Sequence, residues 1–197
     1  MATKYQQHVE RWKNCIACSL CESRRQVVFT RDIVVADVVF IGEAPGPSEN
    51  ANGKPFIGPA GHELDNLIKI ATQDNPTKYT IGFYNLVGCL PPRDPETKKL
   101  RDPTDEEVDA CSPKLKEFLA IAKPRAVMLL GKLAQKTLLQ SMHEVYPQIQ
   151  TVASMIHPSA ILQADISQKN LARQRCVVAI RDMLQELEDI RDINGSN

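Results

Sequence analysis

Apolar residues fill Ile33 to Ile41 with Asp37 as the one interruption, dominate Ile81 to Val87, and fill Ala126 to Leu130. Runs of this length, closed by glycine or proline, predict buried strands. A shorter one fits Val152 to Ile156. Helical periodicity lies between them. After Gly61, residues Leu64, Leu67, Ile68 and Ala71 follow the spacing of an amphipathic helix that closes near Asn75-Pro76. Thr104-Asp-Glu-Glu107 has the capping-box spacing and opens a helix to Ala122, which Ser112-Pro113 kinks or splits in two. Helical spacing resumes over Lys132 to Ser141 and over Gln168 to Glu188, before a tail that frays from about residue 190. Pro91 to Pro103 is polar and aperiodic, and reads as an exposed loop.

Strands alternating with helices predict parallel pairing through crossovers. The expected fold is α/β, a three-layer α/β/α sandwich around a mainly parallel sheet of about four strands, in one domain over residues 1–197. In such sheets the ligand crevice lies at the carboxyl ends of the strands. That rule gathers Gly42 to Glu49, Asn85 to Cys89, Gly131 and His157 on one rim, because each follows a strand.

Composition narrows the function classes. Lys plus Arg and Asp plus Glu are 24 each, so no global positive field draws the chain to nucleic acid, and any such contact must be local. No apolar stretch approaches the roughly 20 residues that span a bilayer, so no membrane partner is expected. The polar Met1 to Cys15 segment carries no signal-peptide pattern, and a cytoplasmic, reducing location is expected.

In that setting six cysteines argue for metal binding or catalysis over disulfides. Cys15-x-x-Cys18 places two thiols on one turn; Cys89, where a strand gives way to Pro91-Pro92, is the best third ligand, and Cys111, one turn after Glu107, the fourth. Cys21 repeats the three-residue spacing and is a spare or a replacement ligand. Cys176 reads as a small buried hydrophobe. Spacing alone leaves zinc and an iron–sulfur cluster both open.

Several motifs recur in a set order: Cys15-x-x-Cys18, Gly42-Glu43-Ala44-Pro45-Gly46 with Glu49, Pro55-Phe56-Ile57-Gly58-Pro59-Ala60-Gly61, Asn85 with Cys89-Leu-Pro-Pro, Cys111, Leu130-Gly131 and His157-Pro158-Ser159. In this order they resemble the iron–sulfur (family 4) uracil-DNA glycosylases, over roughly Asn14 to Leu162. The resemblance implies a 4Fe-4S cluster on Cys15, Cys18, Cys89 and Cys111, with zinc the alternative. It also implies hydrolysis of the bond between uracil and deoxyribose in DNA, by a monomer.

Breaking that bond develops positive charge on the sugar and negative charge on the base, so both ends need stabilising and a water needs positioning. By this resemblance His157 faces the base oxygen that gains charge, Glu49 orients water or balances the sugar, and Glu43 assists or braces the loop. Asn85 reads the edge of an extruded uracil, Phe56 stacks on it, and amides around Ala44 bind its oxygen. Ser159 meets DNA, Ile161 or Leu162 fills the vacated space, and phosphates find Arg93, Lys98, Lys99 and Arg101 in one exposed loop and Lys132 at a helix start. The chain departs from the family pattern at Asn50, where aspartate is common, and at His62, where glutamine is common. Both are expected to flank the pocket and bear on base preference. It also carries extra residues, Asp94 to Arg101. The rival readings are a glycosylase for another modified base and a non-catalytic DNA-binding protein that keeps its metal as a staple.

Overall fold

Asp37 ends the first predicted strand before it starts: the strand begins one residue later, because Asp37 is used as a knot. Its Oδ2 accepts from Thr80 N at 2.8 Å and Thr80 Oγ1 at 2.6 Å, and its carbonyl accepts from Arg125 N and Ala126 N. Ile33 to Asp37 therefore corrects the expected strand, and Ile33 and Val35 are 38% and 67% exposed. The computed structural model describes residues 2–31, 33–73, 79–140 and 142–195, with no side-chain description for 143 and 192–195. The expected helix end at Asn75-Pro76, Ser141 and the last two residues lie outside the described residues.

Four strands, β1 (Val38–Gly42), β2 (Ile81–Asn85), β3 (Ala126–Leu130) and β4 (Thr151–Met155), form one sheet in the order β2-β1-β3-β4, with every pairing parallel. The helices are α1 (Lys4–Trp12), α2 (Leu20–Ser23), α3 (Pro47–Asn52), α4 (Pro59–Ala71), α5 (Asp105–Ala122), α6 (Lys132–Leu138), α7 (Met142–Val145), α8 (Pro158–Gln163) and α9 (Ile166–Gly195). None of the described helices is long and apolar enough to cross a membrane.

Side-chain alternation along the buried strands feeds two cores. Val39 and Ile41 with Val127 and Leu129 pack toward Leu115, Phe118 and Leu119 of α5. Val38 and Phe40 with Ala126 and Met128 pack toward Leu64 and Leu67 of α4 and Ile180 and Met183 of α9. The result is the expected α/β/α sandwich.

Helix α5 opens on the capping box read from the sequence: Thr104 Oγ1 accepts from Glu107 N at 3.2 Å and Glu107 Oε2 accepts from Thr104 N at 2.9 Å. It does not split at Pro113. A proline inside a helix costs about 3 kcal/mol, but fully buried Phe118, Leu119 and Ala122 lie beyond it, and burying one large apolar side chain returns roughly 1.5–3 kcal/mol. Helix α6 stops at Leu138, short of the expected Ser141, and α9 is longer than expected at both ends.

The order β2-β1-β3-β4 sets the place of the site. The chain leaves β1 toward β2 and leaves β3 toward β4, so the connections part between the carboxyl ends of β1 and β3, and a crevice opens there.

Candidate active site

A cleft of about 880 Å³ occupies that crevice. It is lined by Glu43 and Ala44 after β1, Glu49 on α3, Phe56, Asn85 at the end of β2, and His157 after β4. Ser159 and Leu162 of α8 and Arg93 of the 91–103 segment complete the residues expected there. Side chains that lie far apart in sequence thus share one wall.

Glu49 is buried and half committed. Its Oε1 accepts from Ile57 N at 3.0 Å and Gly58 N at 2.7 Å, which folds the 55–61 loop over the cleft. Its Oε2 lies against Gly46, where a Cβ would come within 2.8 Å. Asn85 is buried, and among the described residues its amide makes no hydrogen bond. Its Oδ1 and the Phe56 ring both press on Gly42, where a Cβ would stand 2.6 Å from each. The Phe56 ring is 6.4 Å from the His157 ring, centre to centre.

His157 caps α8. Its Nδ1 accepts from Ser159 N at 3.2 Å and lies 2.7 Å from Ser159 Oγ. A ring nitrogen that accepts from a backbone N–H carries no proton, so the neutral ring holds its proton on Nε2. Burial pushes the His157 pKa down, against an opposing pull from Glu49, and favours this neutral donor. Ser159, expected to meet DNA, turns its backbone N–H and hydroxyl to His157. Glu43 is a brace: its Oε1 accepts from Leu133 N at 3.1 Å, tying β1 to α6 across Gly131, whose φ of 90° disfavours a side chain and where a Cβ would stand 2.4 Å from Glu43 Oε1. Burial pushes its carboxyl pKa up, the Leu133 N–H opposes this and Asp102 adds to it.

Four residues singled out in the sequence do not line the cleft. Ile161 is fully buried in the core between the sheet, α4 and α9, so only Leu162 of the two wedge candidates faces the cleft. Asn50 turns away, its Oδ1 accepting from Arg25 N at 2.8 Å, and His62 is exposed on α4; neither lines the cleft. Lys132 is exposed at the start of α6 and also lies off the cleft wall.

The extra residues of 94–101 form a small hairpin rather than a loose loop. Arg93 and Leu100 form an antiparallel bridge, Asp94 N donates to Lys99 O at 2.8 Å, and Arg93 Nη1 donates to Lys98 O at 2.8 Å. The hairpin brings Lys99 and Arg101 to the cleft as well. Arg31, which no motif singles out, holds the other wall: Nη1 donates to Phe56 O at 2.6 Å.

Of the six cysteines, Cys89 and Cys111 are buried and Cys15, Cys18 and Cys21 are half-buried. Burial pushes the Cys18 thiol up, and Cys111 and Cys15 push it further. Burial pushes the Cys89 thiol up to about 11, with Lys114 and Arg24 pulling down and Cys111 pushing up. Cys111 thus acts on both the Cys18 and the Cys89 thiol, Cys15 acts on Cys18, and Cys21 acts on neither. Among the described residues no three His, Cys, Asp or Glu side chains close on a point as a single metal ion requires. A cubane cluster spreads its thiolates wider than one ion does. Cys176 lies in the α9 core, as expected.

Comparison with known proteins agrees with this geometry. The family model of the uracil DNA glycosylase superfamily matches residues 32–183. A type-4 uracil-DNA glycosylase of Sulfurisphaera tokodaii is 33% identical over 139 residues, covering 71% of this chain and 60% of that protein. One from Pyrobaculum aerophilum is 36% identical over 131 residues, covering 66% and 62%. The chain therefore matches about 60% of the length of these relatives. The crystal structure of Pedobacter heparinus SMUG2 superposes with a TM-score of 0.57 over 77% of each chain at 12% identity, a likeness of fold.

Proposed function

The chain belongs to the uracil-DNA glycosylase superfamily, and from that premise we propose that it releases uracil from DNA by hydrolysing the N-glycosidic bond, leaving an abasic site. The observation that carries this reading is the convergence of Asn85, Phe56, His157 and Glu49 on one cleft, with the Asn85 amide unpaired among the described residues. An extruded uracil presents an N3–H beside a carbonyl oxygen, which an amide oxygen and NH2 match. Cytosine presents the opposite pair, and the same amide orientation opposes it.

Bond cleavage leaves negative charge on the base, and the Nε2–H of neutral His157 supplies a donor for it, worth roughly 3 kcal/mol for one well-placed donor. Glu49, with Oε1 spent on the loop, has Oε2 left to orient water or face the cationic sugar. Lys99 and Arg93 offer the phosphates a local positive rim, while Arg101 is paired with Glu107.

In this reading Cys15, Cys18, Cys89 and Cys111 hold a 4Fe-4S cluster. Buried Cys89 and Cys111, with Arg24 beside the Cys89 sulfur, support thiolate ligation there. The group would supply a cross-link between the N-terminal segment, the end of β2 and α5; hydrolysis itself moves no net electrons.

The test is release of uracil from a deoxyuridine oligonucleotide, scored as an alkali-labile site. Activity that falls at least about 100-fold in His157→Ala supports the proposal. No abasic product from folded, iron-loaded protein rejects it, and release of a different modified base alone would transfer the site to the rival glycosylase reading.

A further inference from the structure

Lys114 lies one turn beyond Cys111 on α5, is 2% exposed, and its ammonium has no hydrogen-bond partner among the described residues. It stands 5.2 Å from the centre of the Tyr84 ring and against Gly88, where a Cβ would come within 2.0 Å of Nζ. Gly88 precedes Cys89, so any other residue there would collide with the ammonium beside a candidate ligand.

An ammonium taken out of water loses more than one aromatic face returns. The carboxylate one turn further along α5 is engaged elsewhere: Glu117 Oε2 accepts from Trp12 Nε1 at 2.6 Å, and Glu117 Oε1 lies 3.5 Å from Arg11. Among the described residues no carboxylate pairs with Lys114. Its ammonium presses on Gly88, the neighbour of Cys89, and the Cys89 thiol has a cation of its own, with Arg24 Nη1 3.8 Å from Sγ. Four thiolates around a doubly positive four-iron core make a doubly anionic group, which Lys114 and Arg24 together balance.

We infer that Lys114 is the buried counter-charge of the four-cysteine cluster, retaining the cluster in the chain and raising its reduction potential. This rests on the cluster reading above. Lys114 is a positioning residue for charge and touches neither base nor sugar.

The test uses full-length chain purified anaerobically, with Lys114→Met and Lys114→Arg. Iron and sulfide content, the reduction midpoint followed by paramagnetic resonance, and the rate of bleaching by a chelator are measured on each. Lys114→Met should lower the midpoint and bleach at least several-fold faster, while Lys114→Arg stays near the parent. Because the methionine removes an uncompensated charge, it should also raise the thermal midpoint of the metal-free chain, the opposite sign to its effect on the loaded one. Equal midpoints and bleaching rates in parent and Lys114→Met, both carrying four iron atoms, would overturn the inference and leave the cluster reading standing. A parent chain that takes up no iron would overturn both.

Discussion

Arg31 holds the carbonyl of Phe56. Its Nη1 donates to Phe56 O at 2.6 Å, its guanidinium pairs with Asp65 on α4, and it lies 4.0 Å from the centre of the Phe83 ring. Phe56 has a φ of 53°, in the left-handed region, which costs a non-glycine residue about 1–3 kcal/mol. A hydrogen bond from a charged donor contributes about 1.5–3 kcal/mol. The two are comparable, so the aim of the Phe56 ring depends on Arg31.

Replacing that donor should loosen the ring without unfolding the protein. Arg31→Met is expected to slow uracil release about tenfold or more, with stability lower by about 1–3 kcal/mol, and Arg31→Lys should restore part of the rate. Single-turnover release and denaturant melts measure the two effects. An unchanged rate in a destabilised Arg31→Met would show that Phe56 keeps its place unaided.

Gly42 and Gly82 are both strand glycines, but their surroundings differ. A Cβ on Gly42 would meet Asn85 Oδ1 and Phe56 Cζ at 2.6 Å each, whereas on Gly82 the nearest contact is Ala36 Cβ at 3.2 Å. Gly42→Ala should therefore cut release by roughly 100-fold, since small displacements of positioned groups cost that much, while Gly82→Ala should leave it near the parent. Equal activity in the two variants would count against the pocket as described.

The pKa of His157 is depressed by burial, and that of buried His8 is depressed too, again chiefly by burial. A lowered folded-state value means that the unfolded chain binds more protons below about pH 6.5, so these groups lose stability as the pH falls through that range and cost nothing above it. Release should stay level from pH 8 down to about 6.5 and fail only below that. The imidazole titration of His157, followed by NMR with His157→Gln for assignment, should have its midpoint under the ordinary histidine value. A midpoint above it, or faster release on acidification, would mean a charged imidazolium acts instead.

Lys98 and Lys99 are neighbours with different duties. Lys98 Nζ donates to Pro95 O at 2.6 Å within the hairpin, while the Lys99 side chain makes no hydrogen bond among the described residues and lines the cleft. Lys99→Ala should weaken DNA binding and lower the salt slope by about 1, with Lys98→Ala much nearer the parent. Titrations at several salt concentrations decide it; identical slopes for both variants and the parent would remove Lys99 from the interface.

Much of the fold was legible because each rule involved was local. The periodicity of Leu64, Leu67, Ile68 and Ala71 and the Thr104–Glu107 box carry their structure within one or two turns. The convergence of Glu49, Asn85 and His157 follows from strand ends in a parallel sheet, and Phe56 was legible only through the family motif. Ile161 and Leu162 marked the limit: two consecutive apolar residues on a short helix look alike in sequence, and only the packing of α4 and α9 decides which is core. Asp37 looks like an interruption within a strand because its partner, Thr80, is distant in the chain. Arg31 and Lys114 gave no signal at all, since their meaning comes from a carbonyl and a glycine elsewhere.

Cys89 and Cys111 stand at the two roots of the stretch that carries the 93–100 hairpin to the cleft rim. Anything gripped by both sulfurs clasps that stretch at its base. If the proposed cluster is what they grip, protein made without iron should keep its sheet yet present a slack arm to the sugar–phosphate strand, so that shortage of the element is felt first as poor grip and only afterwards as slow chemistry.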